Sequence, residues 1–187
     1  MKRLFLTAIA ASMMLNLSAQ RYNETEYPKI FQKLVLDIGA TPFSVPIEGN
    51  SKISTYNFSL GYQIGKKADI RFNADILNQF ENYHTSPNTS GIYFSGRLVN
   101  LSLGTSVNIF NGKNDSFLKN ISSNLVGKLG IGISPEHKEQ ESIFYDVSFR
   151  TYFGNIPYIG LGINHQMYGS SYKPNSANIY ISFGLDF

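Results

Sequence analysis

The sequence contains no cysteine and no tryptophan. Without cysteine the chain has no disulfide framework, no thiolate metal site and no cysteine that could carry a lipid. It has only three histidines, and His84 and His137 lie in segments that are expected to be loops, with no second histidine at ligand spacing. The sequence therefore predicts no metal site and no cofactor.

Charge of either sign is scarce. Sixteen lysine and arginine residues stand against 13 acidic residues, which gives a net charge of +3. Two of the basic residues, Lys2 and Arg3, belong to an amino-terminal segment that resembles an export signal, and the rest of the chain is almost neutral. Because nucleic-acid binding requires a basic surface, no nucleic-acid partner is expected.

Long apolar runs are absent after residue 19. Residues 1–19 have Lys2 and Arg3, then a mainly apolar stretch, then the small residues Ser18 and Ala19. This order is typical of a secretory signal peptide, and the apolar part is shorter than the roughly 20 residues of a membrane-spanning helix. We predict Sec-type export, cleavage after Ala19 and one mature domain over residues 20–187.

The mature chain consists largely of segments in which apolar and polar residues alternate. Residues 55–65 alternate without exception, with Tyr56, Phe58, Leu60, Tyr62 and Ile64 on one side. A period of two indicates β-strands with two different faces. Eight such segments begin near residues 33, 53, 68, 92, 124, 142, 157 and 176. The phase slips once near Leu98 and Val99, which predicts either a β-bulge or the foot of a loop there.

The links between these strands differ on the two sides of the predicted sheet. Links on the side of the amino terminus are mostly tight, whereas the far links are polar and longer. An even number of antiparallel strands with this asymmetry predicts an all-β fold, an eight-stranded antiparallel up-and-down transmembrane β-barrel. The near links are 65–67, 111–124 and 154–157, and the far links are 42–52, 81–91, 135–141 and 169–176.

The polar face of the strands is made mainly of glycine, serine, asparagine and tyrosine, and lysine is almost absent from it. A face in open water is normally rich in lysine and glutamate, so this face is interpreted as a narrow lumen and the apolar face as the lipid surface. A secreted, soluble lipocalin-like ligand-binding barrel has the same period with the opposite orientation and remains an alternative.

Charges of both signs lie on the predicted lumen face. Because charges removed from water must pair, these residues predict a lumen charge network and a plugged barrel without an open channel. The predicted members are Asp37, Arg71, Asp75, Asp146 and Arg150, with Asp69 and Asp186 on the same face.

The signal, the eight amphipathic strands and the closing segment YISFGLDF together resemble the small outer-membrane β-barrel superfamily of OmpX and the OmpA transmembrane domain. The resemblance implies a porin-like cell-envelope protein in the outer membrane of a Gram-negative bacterium. Implied partners are outer-membrane lipid and lipopolysaccharide, the barrel-assembly machinery during biogenesis, and an extracellular partner, of unknown identity, bound by the loops. It further implies that Leu185 and Phe187, on the lipid face of the last strand, form the assembly signal.

No complete catalytic constellation is visible, so a structural or binding role through segments 42–52 and 81–91 is predicted. An alternative comes from the segment around His165, which resembles the PagL lipid A 3-O-deacylase family through His165 and the pair Pro174-Asn175. Met167 replaces the expected serine nucleophile, and no glutamate follows His165. The competing interpretation places His165 among the polar and aromatic residues at a membrane interface.

Overall fold

The computed structural model describes residues 33–49, 51–64, 67–86, 89–112, 118, 120–135, 141–154, 156–169 and 175–187, and over 82–94 it describes the backbone alone. The predictions for the signal segment 1–19, for His137 and for the side chain of His84 therefore lie outside the described residues. In the described part of the chain, no helix is long and apolar enough to cross a membrane.

Eight antiparallel strands form one closed barrel in which each strand pairs with its sequence neighbours and the last pairs with the first. The predicted fold class is confirmed, and every strand begins within three residues of its predicted start. The strands are β1 (Leu34–Glu48), β2 (Ser51–Ile64), β3 (Ala68–Ser86), β4 (Thr89–Asn111), β5 (Ile121–Ile133), β6 (Ser142–Phe153), β7 (Pro157–Tyr168) and β8 (Ser176–Asp186).

The alternation of the sequence becomes an alternation of surfaces. On β2, Phe58 and Leu60 point outward and are 46% and 58% exposed, whereas Asn57 and Ser59 point inward and are 5% and 4% exposed. The same rule holds around the barrel, with apolar residues such as Leu103 and Leu129 outside. The molecule is thus apolar on its exterior and polar in its interior.

We call the barrel end where β1 begins and β8 finishes the near end, and the opposite end the far end. Strand β1 reaches further toward the far end than predicted, through Pro42 to Glu48. The prediction that 42–52 is a loop is therefore wrong. Irregularities in the β1–β8 pairing fall between Ala40 and Phe43 and between Pro46 and Glu48. Proline is tolerated in a strand where the ladder is interrupted. Pro42 and Pro46 are typical of a loop, although apolar Phe43 and polar Ser44 alternate as in a strand.

The prediction that 81–91 is a binding loop is also wrong, because strands continue through this segment as well. Strands β3 and β4 pair as far as Ser86 and Thr89, so residues 87 and 88 alone connect them. Pairing with β2 begins at Glu81 and pairing with β5 begins at Val99, so the outer part of this hairpin continues as a two-stranded ribbon. We call residues 82–98 the far ribbon. The predicted bulge near residue 98 lies at Ser95, because Gln79 pairs with Gly96 and Phe80 pairs with Phe94.

The barrel closes between β8 and β1, as predicted for the last strand. Asp186 pairs with Asp37 and Phe183 pairs with Ala40. Phe187 extends the ladder by one residue: its N–H donates to the Leu36 carbonyl at 2.7 Å, and its carbonyl accepts from the Leu36 N–H at 3.0 Å. Leu185, which pairs with Ile38, lies on the outward side of the same seam near the near end.

Candidate functional site

The centre of the lumen is built around Asp37 and Arg150, which face each other across the barrel from β1 and β6. Arg150 Nη1 donates to Asp37 Oδ2, and both side chains are almost completely buried. The Tyr158 hydroxyl donates to the other carboxylate oxygen at 2.9 Å. The Arg150 guanidinium also lies over the Tyr158 ring, 4.4 Å from its centroid. Each charge of this pair therefore has a partner inside the barrel.

Tyr158 fits against the wall because the neighbouring positions on β8 and β1 have no side chain. A Cβ added to Gly184 would lie 2.4 Å from the Tyr158 hydroxyl oxygen, and one added to Gly39 would lie 2.5 Å from it. The two glycines are directly paired across the β1–β8 seam. Glycine at both positions thus allows the tyrosine to reach Asp37.

A second cluster lies toward the near end around Arg71, which is 2% exposed. Its Nε donates to Asp69 Oδ1 at 2.6 Å and its Nη2 donates to Asp69 Oδ2 at 2.7 Å. The same Nη2 donates to Asp186 at 2.9 Å, and Arg71 Nη1 lies 3.6 Å from Asp37. Tyr152 completes the cluster, since its hydroxyl donates to Asp186 at 2.9 Å. Arg71 therefore links three carboxylates from three strands.

The third cluster lies around Lys128 on β5. Its ammonium group contacts both oxygens of Asp75, at 3.2 and 3.1 Å. Asp146 is directly opposite Lys128 in the strand register, but its carboxylate accepts a hydrogen bond from the Tyr180 hydroxyl at 2.8 Å. Lys128 thus pairs with Asp75, whereas Asp146 accepts its hydrogen bond from Tyr180.

The clusters place all five predicted members of the lumen charge network in the interior, with Asp69 and Asp186. Among the described lumen residues of the network, five carboxylates stand against Lys128, Arg71 and Arg150. Three tyrosine hydroxyls supply further hydrogen-bond donors, since each donates to one carboxylate. Sequence reasoning did not assign this role to the tyrosines, although the position of Tyr152 and Tyr158 in the alternation already placed them on the lumen face.

The far part of the lumen contains an apolar cluster, which the sequence analysis did not predict. Ile53, Leu77, Leu98 and Tyr168 point inward and form a buried cluster. The Tyr168 hydroxyl accepts a hydrogen bond from the amide of Gln79, which is fully buried. Leu77 and Leu98 each follow an outward-facing residue directly in the sequence. The period of two could therefore have predicted that both side chains point inward. Toward the far end the lumen therefore changes from charged to uncharged, with this apolar cluster beside buried polar residues such as Gln166 and Asn100.

Two cavities show how completely the interior is filled. A polar cavity of about 740 Å³ opens at the near end, where Arg71, Asn108 and Tyr152 contribute to its wall. In the middle of the barrel, a cavity of about 20 Å³ lies between Asp75, Lys128 and Tyr180. The smaller cavity has room for about one water molecule. The described side chains thus narrow the lumen strongly between the near opening and the apolar cluster.

His165 lies on the outside of the barrel near the far end. Its ring packs edge-on against Tyr145 with centroids 5.1 Å apart. Nε2 is 3.3 Å from Oε2 of Glu48, an ion-pair distance, though it lacks the alignment of a hydrogen bond. The two residues meet across β8 because Ala177, which pairs with both of them, has a small side chain.

This geometry bears on the deacylase hypothesis. Glu48 supplies a carboxylate from β1 that the sequence around His165 lacks. Among the described residues, however, no hydroxyl hydrogen-bonds to either ring nitrogen of His165, and Met167 is the next outward residue on β7. Ser170, Ser171 and Pro174 lie outside the described residues. In the described part of the chain, the His165–Glu48 pair has no hydroxyl nucleophile hydrogen-bonded to it.

No family model matches the chain, and no curated protein does. Among solved structures, the amino-terminal β-barrel domain of Pseudomonas aeruginosa OprF matches 83% of this chain and 97% of its own, with 10% identity and a TM-score of 0.41. The outer-membrane enzyme PagL matches 81% and 98%, with 10% identity and a TM-score of 0.45. Neisserial surface protein A matches 82% and 96%, with 15% identity and a TM-score of 0.46. At these identities the similarity concerns the fold alone.

The pairing of Lys128 with Asp75 can be tested by a double-mutant cycle in detergent micelles. Lys128→Met leaves the Asp75 carboxylate buried without its cation, and we expect it to lower the free energy of unfolding by about 3–5 kcal/mol. Adding Asp75→Asn removes the uncompensated charge and should restore most of the loss. Denaturant unfolding followed by circular dichroism measures both values. Equal and additive losses from the two substitutions would contradict the pairing.

Proposed function

We propose that this chain is an integral outer-membrane β-barrel with both termini in the periplasm, a closed lumen and a binding element on the far side. The observation that carries the proposal is the inverted polarity of the barrel. Apolar side chains such as Phe58 and Leu103 cover the exterior, while Asp37, Arg71 and Arg150 are buried inside. Exposing such an exterior to water would be costly, whereas the hydrocarbon of a membrane is a favourable solvent for these side chains.

The strand lengths and the aromatic residues support this proposal. All eight strands have 11 residues or more, and about 9–11 tilted residues span the hydrocarbon of a membrane. Tyr62 lies on the exterior toward the near end, and Tyr56 and Tyr145 lie on it toward the far end. Tyrosine is enriched at both interfaces of membrane proteins, where its ring and hydroxyl meet different solvents.

The soluble alternative requires the opposite arrangement. A lipocalin-like barrel keeps an apolar cavity inside and presents polar residues to water. Here the middle of the lumen is occupied by ion pairs, and the apolar cluster at its far end is filled by its own side chains. The interior thus offers no apolar cavity for a ligand in the described part of the chain.

A closed lumen is favoured by the same contacts. Arg150, Arg71 and Lys128 each reach across the interior to carboxylates on other strands, so opening a continuous water path would require separating buried ion pairs. Their separation without new partners is costly. A structural or binding role is therefore favoured over a channel role.

The far ribbon is the element to which we assign the binding role. It lies beyond the pairing with β2 and β5, so its two outer backbone edges are not part of the barrel ladder. Backbone edges and protruding hairpins are common sites of protein recognition. The segment 42–52, in contrast, is mostly built into the barrel wall through β1.

Membrane insertion is tested by electrophoresis and fractionation. We expect the folded protein in detergent to migrate differently before and after boiling, because a closed barrel resists unfolding in detergent. After expression with its own signal, it should be recovered with outer membranes. Identical migration together with recovery in the soluble periplasmic fraction would contradict the proposal.

The binding role is tested by shortening the far ribbon. Replacing residues 82–92 by a two-residue Asn-Gly turn should leave the barrel ladder intact, because Glu81 then stays opposite its native partner Tyr93 and Phe80 stays opposite Phe94. We expect the shortened protein to remain heat-modifiable and to lose the extracellular partners that cross-link to the wild type on intact cells. An unchanged set of cross-linked partners would refute the role of the ribbon.

The proposed assembly signal is tested with Phe187→Ala. This substitution keeps the two backbone hydrogen bonds to Leu36 and removes only the ring. We expect slower insertion in cells and nearly normal refolding into detergent, because recognition by the assembly machinery is needed only in cells. Ile179→Ala, on the same face of β8, is the matched control. Equal defects of Phe187→Ala in both assays would mean that the ring acts by packing.

A further inference from the structure

Among the strand residues whose side chains are described, the charged residues on the exterior all lie at the far end of the barrel. Glu48 is one of them, and it lies against His165. The others are Lys52 on β2 and Arg97 on β4. Together with Ser54 and Asn78 they form what we call the far-rim basic patch: Lys52, Ser54, Asn78 and Arg97.

The strand register brings the four residues of the patch together. Ser54 pairs directly with Asn78, and Asn78 pairs directly with Arg97, so these three form one row across β2, β3 and β4. Directly paired residues have Cβ atoms about 5 Å apart. Arg97 Nε donates to Asn78 Oδ1 at 3.3 Å, and Lys52 is two residues from Ser54 on the same face of β2. One small group can therefore contact several members of the patch at once.

The two cations of the patch are not neutralised within the described part of the chain. Arg97 is bonded to an amide oxygen, and neither Arg97 nor Lys52 forms an ion pair with a described carboxylate. The nearby acidic residues have other contacts: Glu81 contacts the Ser51 hydroxyl, and Glu48 contacts His165. The patch therefore keeps a net positive charge.

The patch lies at the far-end border of the apolar exterior. The next outward row toward the near end consists of Tyr56, Ile76 and Val99, which pair with one another in the same register. Tyr56 and Ile76 are exposed on the outside of the barrel. Two cations with a hydroxyl and an amide above an apolar row match an amphiphile with an anionic head.

We propose that the far-rim basic patch binds the phosphate group of an anionic membrane lipid whose acyl chains lie on the apolar row below. The proposal rests on the proposed membrane function, because it needs the far rim to lie at the level of the headgroups. Arg97 and Lys52 supply charge, and the Ser54 hydroxyl and the Asn78 amide supply further hydrogen bonds to phosphate oxygens. The apolar row favours a lipid over a free phosphate ion, which would gain nothing from Tyr56 or Ile76.

The absence of tryptophan makes a site-specific test feasible. Tyr56→Trp places a fluorophore directly below the patch, and Tyr62→Trp places one on the same face of β2 toward the near end. Each protein is reconstituted into vesicles of dioleoyl phosphatidylcholine mixed with brominated phosphatidylcholine or brominated phosphatidic acid. Bromine quenches tryptophan only at contact, so the ratio of the two quenching curves gives the preference for the phosphate lipid at that position.

We expect phosphatidic acid to be preferred at least about fivefold by the Tyr56→Trp protein, since one basic residue near a membrane contributes about that factor. Adding Lys52→Gln with Arg97→Gln should reduce this preference to about one, and should leave the quenching ratio of the Tyr62→Trp protein unchanged. Adding Lys33→Gln with Lys67→Gln removes the same charge at the near end and should leave the preference at position 56 intact. Unboiled electrophoresis confirms that each variant is folded.

The failures of this test are distinguishable. No quenching by brominated phosphatidylcholine would refute the membrane function itself. Quenching by both lipids without preference in the Tyr56→Trp protein, with the patch intact, would refute the site alone. An equal loss of preference with the near-end control pair would mean that total charge, not the patch, attracts the lipid. Loss of the preference on addition of about 10-fold excess inorganic phosphate at constant ionic strength would show that a free anion suffices, and would overturn the assignment to lipid.

Discussion

The backbone hydrogen bonds between β8 and β1 set the shape of the whole molecule. A sheet with two free edges leaves a row of N–H and carbonyl groups unpaired at each edge, and closing the sheet on itself removes both edges. Phe187 and Leu36 complete that closure with two hydrogen bonds. Closure with eight strands gives an interior just wide enough for side chains. Every charged residue that the alternation directs inward must then find its partner within that narrow space.

The lumen shows how this constraint is met. Arg150 meets Asp37, Arg71 meets Asp69 and Asp186, and Lys128 meets Asp75, each with its partner on another strand or at the next inward position. Carboxylates outnumber cations, and tyrosine hydroxyls donate to three of them. Glycine at 39 and 184 makes room for one of these tyrosines. The filled lumen and the apolar exterior together favour a protein that acts through its exterior and its far end.

Period-two alternation predicted the eight strands, because it is a local property that each strand shows by itself. The inward face was predicted from the composition of the polar residues, since the alternation fits either orientation. The predictions of loops at 42–52 and 81–91 were wrong because proline, asparagine and serine are common in turns, and here they lie within strands. The partner of Lys128 was not predictable, since Asp146 is directly opposite and only the three-dimensional path of the side chain selects Asp75. The same applies to Glu48 and His165, which are far apart in the sequence and meet across Ala177.

The central claim is that the apolar face meets lipid and the charged face does not meet bulk water. The chain has no cysteine, so single cysteines at positions 56–62 of β2 can each carry a nitroxide label in reconstituted vesicles. Relaxation by oxygen, which concentrates in lipid, is measured against relaxation by a water-soluble nickel complex. High oxygen accessibility at 58 and 60, with low accessibility to both reagents at 57 and 59, is the predicted result. High accessibility to the nickel complex at 58 and 60 would contradict the account.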